Sequence, residues 1–375
     1  MLKFLHVASF KGNIGDNANH MGFYDRLRES IGAFEVHEFE IRRTFWKDAA
    51  FDNDFAFLAN QHDAVIFGGG NFFELWVDHS STGCSIDIPE SVFKKINVPM
   101  IFNSLGVDPA QGASRLALNK FKKFLDMCIA RPDVILSCRN DGSYSTLVDY
   151  LGTDYAKYFY HIHDAGFHFK PPKFLHPELH PKKNNILFQL AGDMPEVRFH
   201  HDRSEISFES YIEKLAGVVN EVAVENHIIF CPHIYKDLSL ISAVLELVDD
   251  YVRRNCISVA SCLQGKEGAE YIFSLYSQTD LNVATRFHGS VCSMGMGQKT
   301  IGLVNYRQIR ELYSELNLKD YAVDVTRENF DVSLTSKIFD TLQNDKFPGL
   351  RLDATDANYS KYLNAVSDVV SQSKC

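Results

Sequence analysis

The sequence predicts an α/β protein made of two successive domains, each a mainly parallel sheet with helices on both faces. Three observations lead there. At 375 residues the chain exceeds what one hydrophobic core usually organises. Short buried apolar runs alternate with amphipathic segments in both halves, the pattern of repeated βα units. Between the halves, residues 170–184 (KPPKFLHPELHPKKN) hold four prolines and no apolar period, which is the composition of a linker. The expected organisation is therefore 1–169, a linker at 170–184, a second domain over 185–350 and a closing amphipathic helix in 351–375. That helix is expected to cross back to the first domain. Two such domains should meet at a cleft, and ligands of open α/β sheets bind beyond the carboxyl ends of the strands.

The elements follow in order. Phe4 to Phe10 reads as a buried strand, Lys11 to Asp16 as a Gly/Asn-rich turn, and Asn17 to Ile31 as a helix with Leu27 and Ile31 on one face. Phe34–Ile41, Ala64–Phe67, Pro99–Gly106 and Val134–Arg139 read as strands, with helices over Arg115–Ala130 and Asp141–Leu151. In the second half, strands are expected at Asn185–Leu190, His227–His233, Ile257–Ala260, Leu281–Ala284 and Thr300–Val304. Helices are expected over Ser207–Val224, Asp237–Val252, Lys266–Gln278 and from Val291 to Met296, with a last one over Asn358–Ser371.

Composition narrows the function. Apolar content of 45% and charged content of 23% are those of a globular domain. A net charge of −10 argues against a general nucleic-acid binder, which needs a basic face. It leaves an anionic small substrate open, because local arginines set the field inside a cleft. The cysteines, Cys84 to Cys375, form no CxxC pair, so no zinc site is expected, and they suggest a reducing compartment. The start, Met1 to Val7, turns polar too soon for a signal peptide, and no run of about 18 apolar residues exists to span a membrane.

Polar punctuation collects where strands end. Arg286 and His288 sit two apart after the Leu281–Ala284 strand, before Gly289 and a Gly/Ser/Met-rich helix start. A guanidinium forks onto phosphate or carboxylate, an imidazole moves a proton near neutral pH, and a helix N-terminus adds backbone N–H donors. A hydrogen-bonded structural pair is the plainer reading of the same two residues. Asn13, Gly15 and Asp16 lie in the first turn, which reads either as an N-capped tight turn or as a ligand loop. Its spacing fits neither GxGxxG nor a P-loop. Gly68-Gly69-Gly70-Asn71 places Gly69, Gly70 and Asn71 where a backbone must approach something closely. Arg139 ends a buried strand and either reaches the cleft or pairs with Asp141 or Asp164. His161, His163 and Asp164 invite a metal reading but lack a distant third ligand, and Asp164 at a strand end is the stronger site candidate. His233, with Asp237 following, binds substrate or caps the next helix, and His200-His201-Asp202 reads as a solvated loop.

Taken in order, these motifs resemble the polysaccharide pyruvyl transferase family. The likeness lies in Gly12–Ala18 (GNIGDNA), Gly68–Phe73, Ser104–Pro109, Ser137–Asp141 with Ser143, Asp164–Phe167, Cys231-Pro232-His233 with Asp237, and Arg286–Gly289 with Asn305-Tyr306. Members often carry a Lys after the tyrosine; here Tyr306 is followed by Arg307 and Arg310, and Arg310 is the expected stand-in. Glu74 to Pro89 has no counterpart in the pattern.

The resemblance implies a GT-B-like pair of Rossmann-like domains and transfer of a pyruvyl group from phosphoenolpyruvate to two sugar hydroxyls as a ketal. The acceptor would be a polysaccharide sugar or a lipid-linked oligosaccharide, handled near the inner membrane face. It implies Arg286 and Arg139 as cationic forks and His288 as general acid. Asp16 and Asp164 would orient or deprotonate hydroxyls, and His233 and Tyr306 would be further substrate contacts. No cofactor is expected. A nucleotide-sugar glycosyltransferase of the same fold is the alternative, and a non-catalytic sugar-binding protein a third reading.

Overall fold

A computed structural model describes residues 1–344, 347, 348, 350 and 352–372, with 353 and 354 by backbone alone. Cys375 and residue 351, at the ends of the expected terminal segment, lie outside the described residues. Two compact units emerge: Met1–Phe10, Phe23–Ala165 and the chain from Leu352 on form one, and Lys11–Gly22 with Gly166–Arg351 form the other. The helix Ile14–Ile31 is thus shared, its first turns counted with the second unit and its last with the first.

The first unit holds β1 (Leu2–Ala8), β2 (Phe34–Glu40), β3 (Ala64–Gly68), β4 (Phe73–Glu74), β5 (Met100–Leu105), β6 (Val107–Asp108), β7 (Val134–Arg139) and β8 (Phe159–Ile162). Six of these form one sheet in the order β2-β1-β3-β5-β7-β8, and β4 pairs with β6 as a separate ribbon. All the pairings are parallel. The strands are near-continuous apolar runs because helices cover both faces. One layer buries Leu5, Val7, Phe67, Phe102 and Phe124 together. The other buries Phe4, Ile66 and Ile101 against Tyr359, Tyr362 and Val366 of the terminal helix Asp353–Gln372. That helix does return to the first unit, as expected, and it does so by packing its apolar face on the sheet.

The second unit holds β9 (Asn185–Gln189), β10 (His227–Phe230), β11 (Ile257–Val259), β12 (Leu281–Ala284), β13 (Thr300–Val304) and β14 (Ala322–Asp324). Their order, β11-β10-β9-β12-β13-β14, is the Rossmann order 3-2-1-4-5-6, again wholly parallel. Residues 170–184 carry no helix or strand, yet they are tied down. Phe174 N donates to Ser274 Oγ at 2.9 Å, and Gln278 Nε2 donates to Phe174 O at 3.0 Å.

Several expected elements change. The helix foreseen over Asp237–Val252 is two, Tyr235–Leu247 and Asp250–Asn255, because Val248 and Asp249 adopt extended ψ angles of 140° and 139°. The helix foreseen from Val291 begins at Phe287, with Arg286 as an extended N-cap residue. Gly289 and Ser290 do not break it; they let a helix buried over Phe287–Met294 pack closely. The turn foreseen to Asp16 is already helical from Ile14. Among the elements not foreseen are β8, β14, the short β4 and β6, and the helices Asn53–Ala59, Arg307–Glu315 and Phe330–Gln343.

Candidate functional site

In the second unit the strand order reverses between β9 and β12, the place where such sheets bind ligands. Gln189 ends β9, and its Oε1 accepts the Arg286 N–H at 2.7 Å, so the turn after β12 is held to the end of β9. This fixes Arg286 as the residue from which the helix Phe287–Gly295 departs. The Arg286 guanidinium is nearly buried and already forked: Nε donates to Asp237 Oδ2 at 3.0 Å, and Nη2 to Asp193 Oδ1 at 2.7 Å and Asp237 Oδ1 at 2.5 Å. Burial opposes its charge, but Asp237 and then Asp193 outweigh that and hold its pKa above the ordinary value. Asp237 is itself fixed by N–H donors from Gly192, His233 and Ile234 at 3.0, 3.0 and 3.1 Å.

Arg198 joins the same network from the other side. Its Nε donates to Asp193 O at 2.9 Å, Nη2 to Asp193 Oδ1 at 3.3 Å, and Nη1 to Asn305 Oδ1 at 2.9 Å. Its guanidinium carbon lies 5.4 Å from the centroid of the Tyr306 ring, a cation–π distance. Asp193 therefore bridges two arginines; burial pushes its pKa up, but Arg286 and Arg198 bring it below the usual carboxylate range.

His288 is the second residue of that helix. Its Nδ1 lies 3.5 Å from Asp16 Oδ1. The two are brought together by an Asx turn: Gly15 N donates to Asn13 Oδ1 at 3.1 Å, and Asn13 Nδ2 to Asp16 Oδ1 at 3.3 Å. Gly15 is required there, since a Cβ on it would sit 2.5 Å from His288 Cβ and 2.8 Å from Nδ1. Asn13, Gly15, Asp16, His288 and Arg286 thus converge in one unit although some 270 residues separate the two motifs. His233 is wholly buried, with Nε2 2.8 Å from Tyr276 Oη and Nδ1 without a partner. Burial, then Arg286 and His288, hold its pKa well below the ordinary imidazole value, so it is neutral at physiological pH. Arg310 stands apart from this network: its side chain is 58% exposed and pairs with Asp324 at 2.9 Å.

The first unit offers a second group of polar residues at strand ends. Gly69 N donates to Asn103 O and Gly106 N to Gly70 O, at 3.2 and 3.0 Å, which lays the triple-glycine turn against the end of β5. Gly106 leaves room for two side chains: a Cβ there would meet Asn71 Oδ1 at 2.2 Å and Arg139 Nη2 at 2.9 Å. Asn71 Nδ2 donates to Asp108 Oδ2 at 2.9 Å. Arg139, 3% exposed, donates from Nε to Asp141 Oδ2 at 2.7 Å and lies 3.9 Å from Asp164 Oδ2 through Nη1. Both plainer pairings foreseen for Arg139 are therefore present. Burial raises the Asp141 pKa against the pull of Arg139 and Ser143.

Residues 74–89 form an ordered flap. Leu75, Val77, Cys84, Ile86 and Ile88 are buried, and Lys120 Nζ donates to the Asp78 and Ser80 carbonyls at 2.7 and 2.9 Å. Glu74, at its root, accepts the Ser85 hydroxyl and lies directly across the β4–β6 ribbon from Asp108. Burial pushes its pKa up, Ser85 restrains it and Asp108 adds to it, giving about 7.

Against known families, the sequence matches the profile described as Polysaccharide pyruvyl transferase over residues 6–306, which spans both polar groups and stops short of Arg310. The chain belongs to the polysaccharide pyruvyl transferase family. It is accordingly a transferase. Among curated proteins, none matches the sequence. Solved structures share its fold. MnaA from S. aureus with UDP aligns with a TM-score of 0.55 at 9% identity, over 98% of each chain. A glycosyltransferase from Rickettsia africae aligns at 0.51 and 12%, over 99% of this chain and 94% of that one. HepE from Anabaena with UDP and glucose aligns at 0.50 and 11%, over 99% and 95%. At such identities the likeness is one of fold, the GT-B-like pairing of two Rossmann-like domains in one chain.

For this pyruvyl transferase family member, sequence reasoning missed Arg198, Asp193, Glu74, Ser85 and Tyr276. Asp193 had one local signal, the Gly192–Pro195 turn, in which Met194 takes a left-handed φ of 53°. Among the described residues, one trio is close enough to share a metal ion, the exposed His200, His201 and Asp202. His161 and His163 instead stack on Tyr144 and Tyr359, at centroid distances of 5.2 and 4.5 Å. No described helix is long and apolar enough to cross a membrane.

Proposed function

We propose that this chain moves the pyruvyl group of phosphoenolpyruvate onto two hydroxyls of a sugar in a polysaccharide or its lipid-linked precursor, forming a ketal and releasing phosphate. The observation that carries the reading is the Asp16–His288 pair beside the doubly anchored Arg286, all within the family-matched region. Asp16 beside Nδ1 orients the imidazole, which suits His288 to deliver a proton to the methylene carbon of phosphoenolpyruvate. The adjacent carbon becomes electrophilic and a sugar hydroxyl bonds to it, losing its proton. The C–O bond to phosphorus breaks, phosphate leaves, and a second hydroxyl closes the ketal. Of the two hydroxyl protons, one balances that placed on the methyl group and the other leaves with phosphate.

Arg286, whose Nε and Nη2 are spent on carboxylates, would meet the donor through Nη1. Arg139, expected as a second fork for the donor, is instead paired with Asp141 and Asp164 in the first unit, and with Asn71 and Asp164 it would serve the acceptor, Gly69 and Gly70 giving backbone access. The enzyme would work in the cytoplasm, on a free or a lipid-linked acceptor. No step of the scheme needs a metal or a further cofactor.

The test is binding calorimetry and thermal shift with phosphoenolpyruvate, UDP and CMP. Binding of phosphoenolpyruvate alone is expected. Binding of a nucleotide alone would replace pyruvyl transfer by glycosyl transfer from a nucleotide sugar.

A further inference from the structure

Asn305 stands immediately after β13, next to the strand whose end carries Arg286. It is 7% exposed, and its amide orientation is fixed, because Oδ1 accepts from the Arg198 guanidinium at 2.9 Å. Its Nδ2 is buried and has no hydrogen-bond partner. A buried donor left unspent is unfavourable, and such groups are normally satisfied. Turning the amide over would satisfy nothing, since Nδ2 would then face a cation. The unspent donor is therefore built in.

Its surroundings say what it awaits. Arg198 and Arg286 are linked through Asp193, at 3.3 and 2.7 Å, and Asp237 completes the group. Two guanidinium cations balance two carboxylates, so an incoming oxyanion meets no net negative charge. His233, held neutral, adds no charge of its own. The Tyr306 ring, next in sequence, lies against Arg198 and limits where that guanidinium can go.

We propose that Asn305 contacts the donor substrate, giving its Nδ2 hydrogens to a carboxylate or phosphate oxygen, and that Arg198 is the positioning residue that sets the amide for this. The proposal rests on phosphoenolpyruvate being the donor. The chemistry is hydrogen bonding to an oxyanion, which either end of phosphoenolpyruvate supplies.

Calorimetry on the full chain tests it, with phosphoenolpyruvate, pyruvate and inorganic phosphate as probes. Asn305→Ala is expected to weaken phosphoenolpyruvate binding by about tenfold, the scale of a hydrogen bond to a charged group, and to lower the thermal midpoint through loss of the Arg198 bond. The smaller probe whose affinity falls in parallel names the end that Asn305 meets. Arg198→Lys keeps the charge but not the fork, and is expected to weaken binding as well. If Arg198 acts through Asn305, the double variant binds no worse than Asn305→Ala alone. Additive losses would overturn the positioning role. Wild-type binding with an undiminished Asn305→Ala would overturn the proposal and leave the function standing. A wild-type chain that binds none of the three probes would overturn both.

Discussion

At the carboxyl ends of the second sheet, two arginines are shared between two aspartates, with His288 and a neutral His233 nearby. In the first unit, Arg139 at the end of β7 is paired with Asp141 and Asp164, while Asp108 faces Glu74 across the β4–β6 ribbon. Both sheets are parallel and place their polar residues by the same rule, yet their electrostatics differ. The first group is rich in acceptors and repels a dianion, but it suits hydroxyls, which donate to carboxylates. The second, with its charges balanced and spare N–H donors, suits a small oxyanion. One fold thus supplies two kinds of chemistry by what stands at its strand ends.

The sharpest way to break this division is to remove the proton donor. His288→Ala is expected to lower phosphate release from phosphoenolpyruvate by a factor of about 10²–10⁴ while leaving its binding within a few-fold, since the residue's assigned work is proton transfer. Retained turnover would remove His288 from the chemistry. A subtler break leaves every polar group in place. Gly15→Ala sets a methyl against His288, where contact at 2.5 Å cannot be relieved without moving the imidazole or the helix start. A displacement near 1 Å is worth about a hundredfold in rate, so a loss of about ten- to a hundredfold in kcat is expected. Unchanged kcat would mean that the Asp16–His288 geometry is not what sets the rate.

The first unit is probed through Glu74. Its folded pKa, about 7, lies above its ordinary 4.5, so folding favours the protonated acid. That stability is fully present below about pH 4.5 and is lost as pH rises through about 7. Glu74→Gln never ionises. It is expected to match the wild type in denaturant midpoint near pH 5 and to exceed it by about 1–3 kcal/mol near pH 8. A constant difference across that range would mean that burial and Asp108 do not disfavour the Glu74 carboxylate.

Much of this was legible in the sequence, for reasons that can be named. β12 and β13 are continuous apolar runs bounded by polar residues, and both fall where the pattern puts them. β8 was missed because it is an edge strand whose Tyr160 and His161 are only half-buried, which blurs any period. The split at Val248–Asp249 was invisible because the apolar spacing runs on across it. Arg139, Arg286, His288 and Asp16 could be picked out because strand ends and glycine turns mark them locally. Arg198 could not: its partner Asn305 is 107 positions away, and only the fold makes them neighbours. Glu74 gained its meaning from a ladder register that sets it across from Asp108.

The smallest expected effect concerns how the first group is held. The terminal helix lies beyond the family-matched residues, yet Tyr362 Oη donates to Asn103 Oδ1 at 2.8 Å. The Asn103 carbonyl in turn accepts the N–H of Gly69, at 3.2 Å. The helix is therefore part of the support of the glycine turn as well as a cover for the sheet. Tyr362→Phe keeps the ring among Phe4, Ile66 and Tyr359 and removes one bond, so a loss of about 1 kcal/mol in unfolding free energy is expected. If the bond matters to the turn, amide exchange at Gly69 and Gly70 should quicken more than exchange in β12 or β13 of the second sheet. Equal quickening in both sheets would make Tyr362 a contributor to global stability alone, and the support of the first group would then rest on the backbone bonds between β3 and β5.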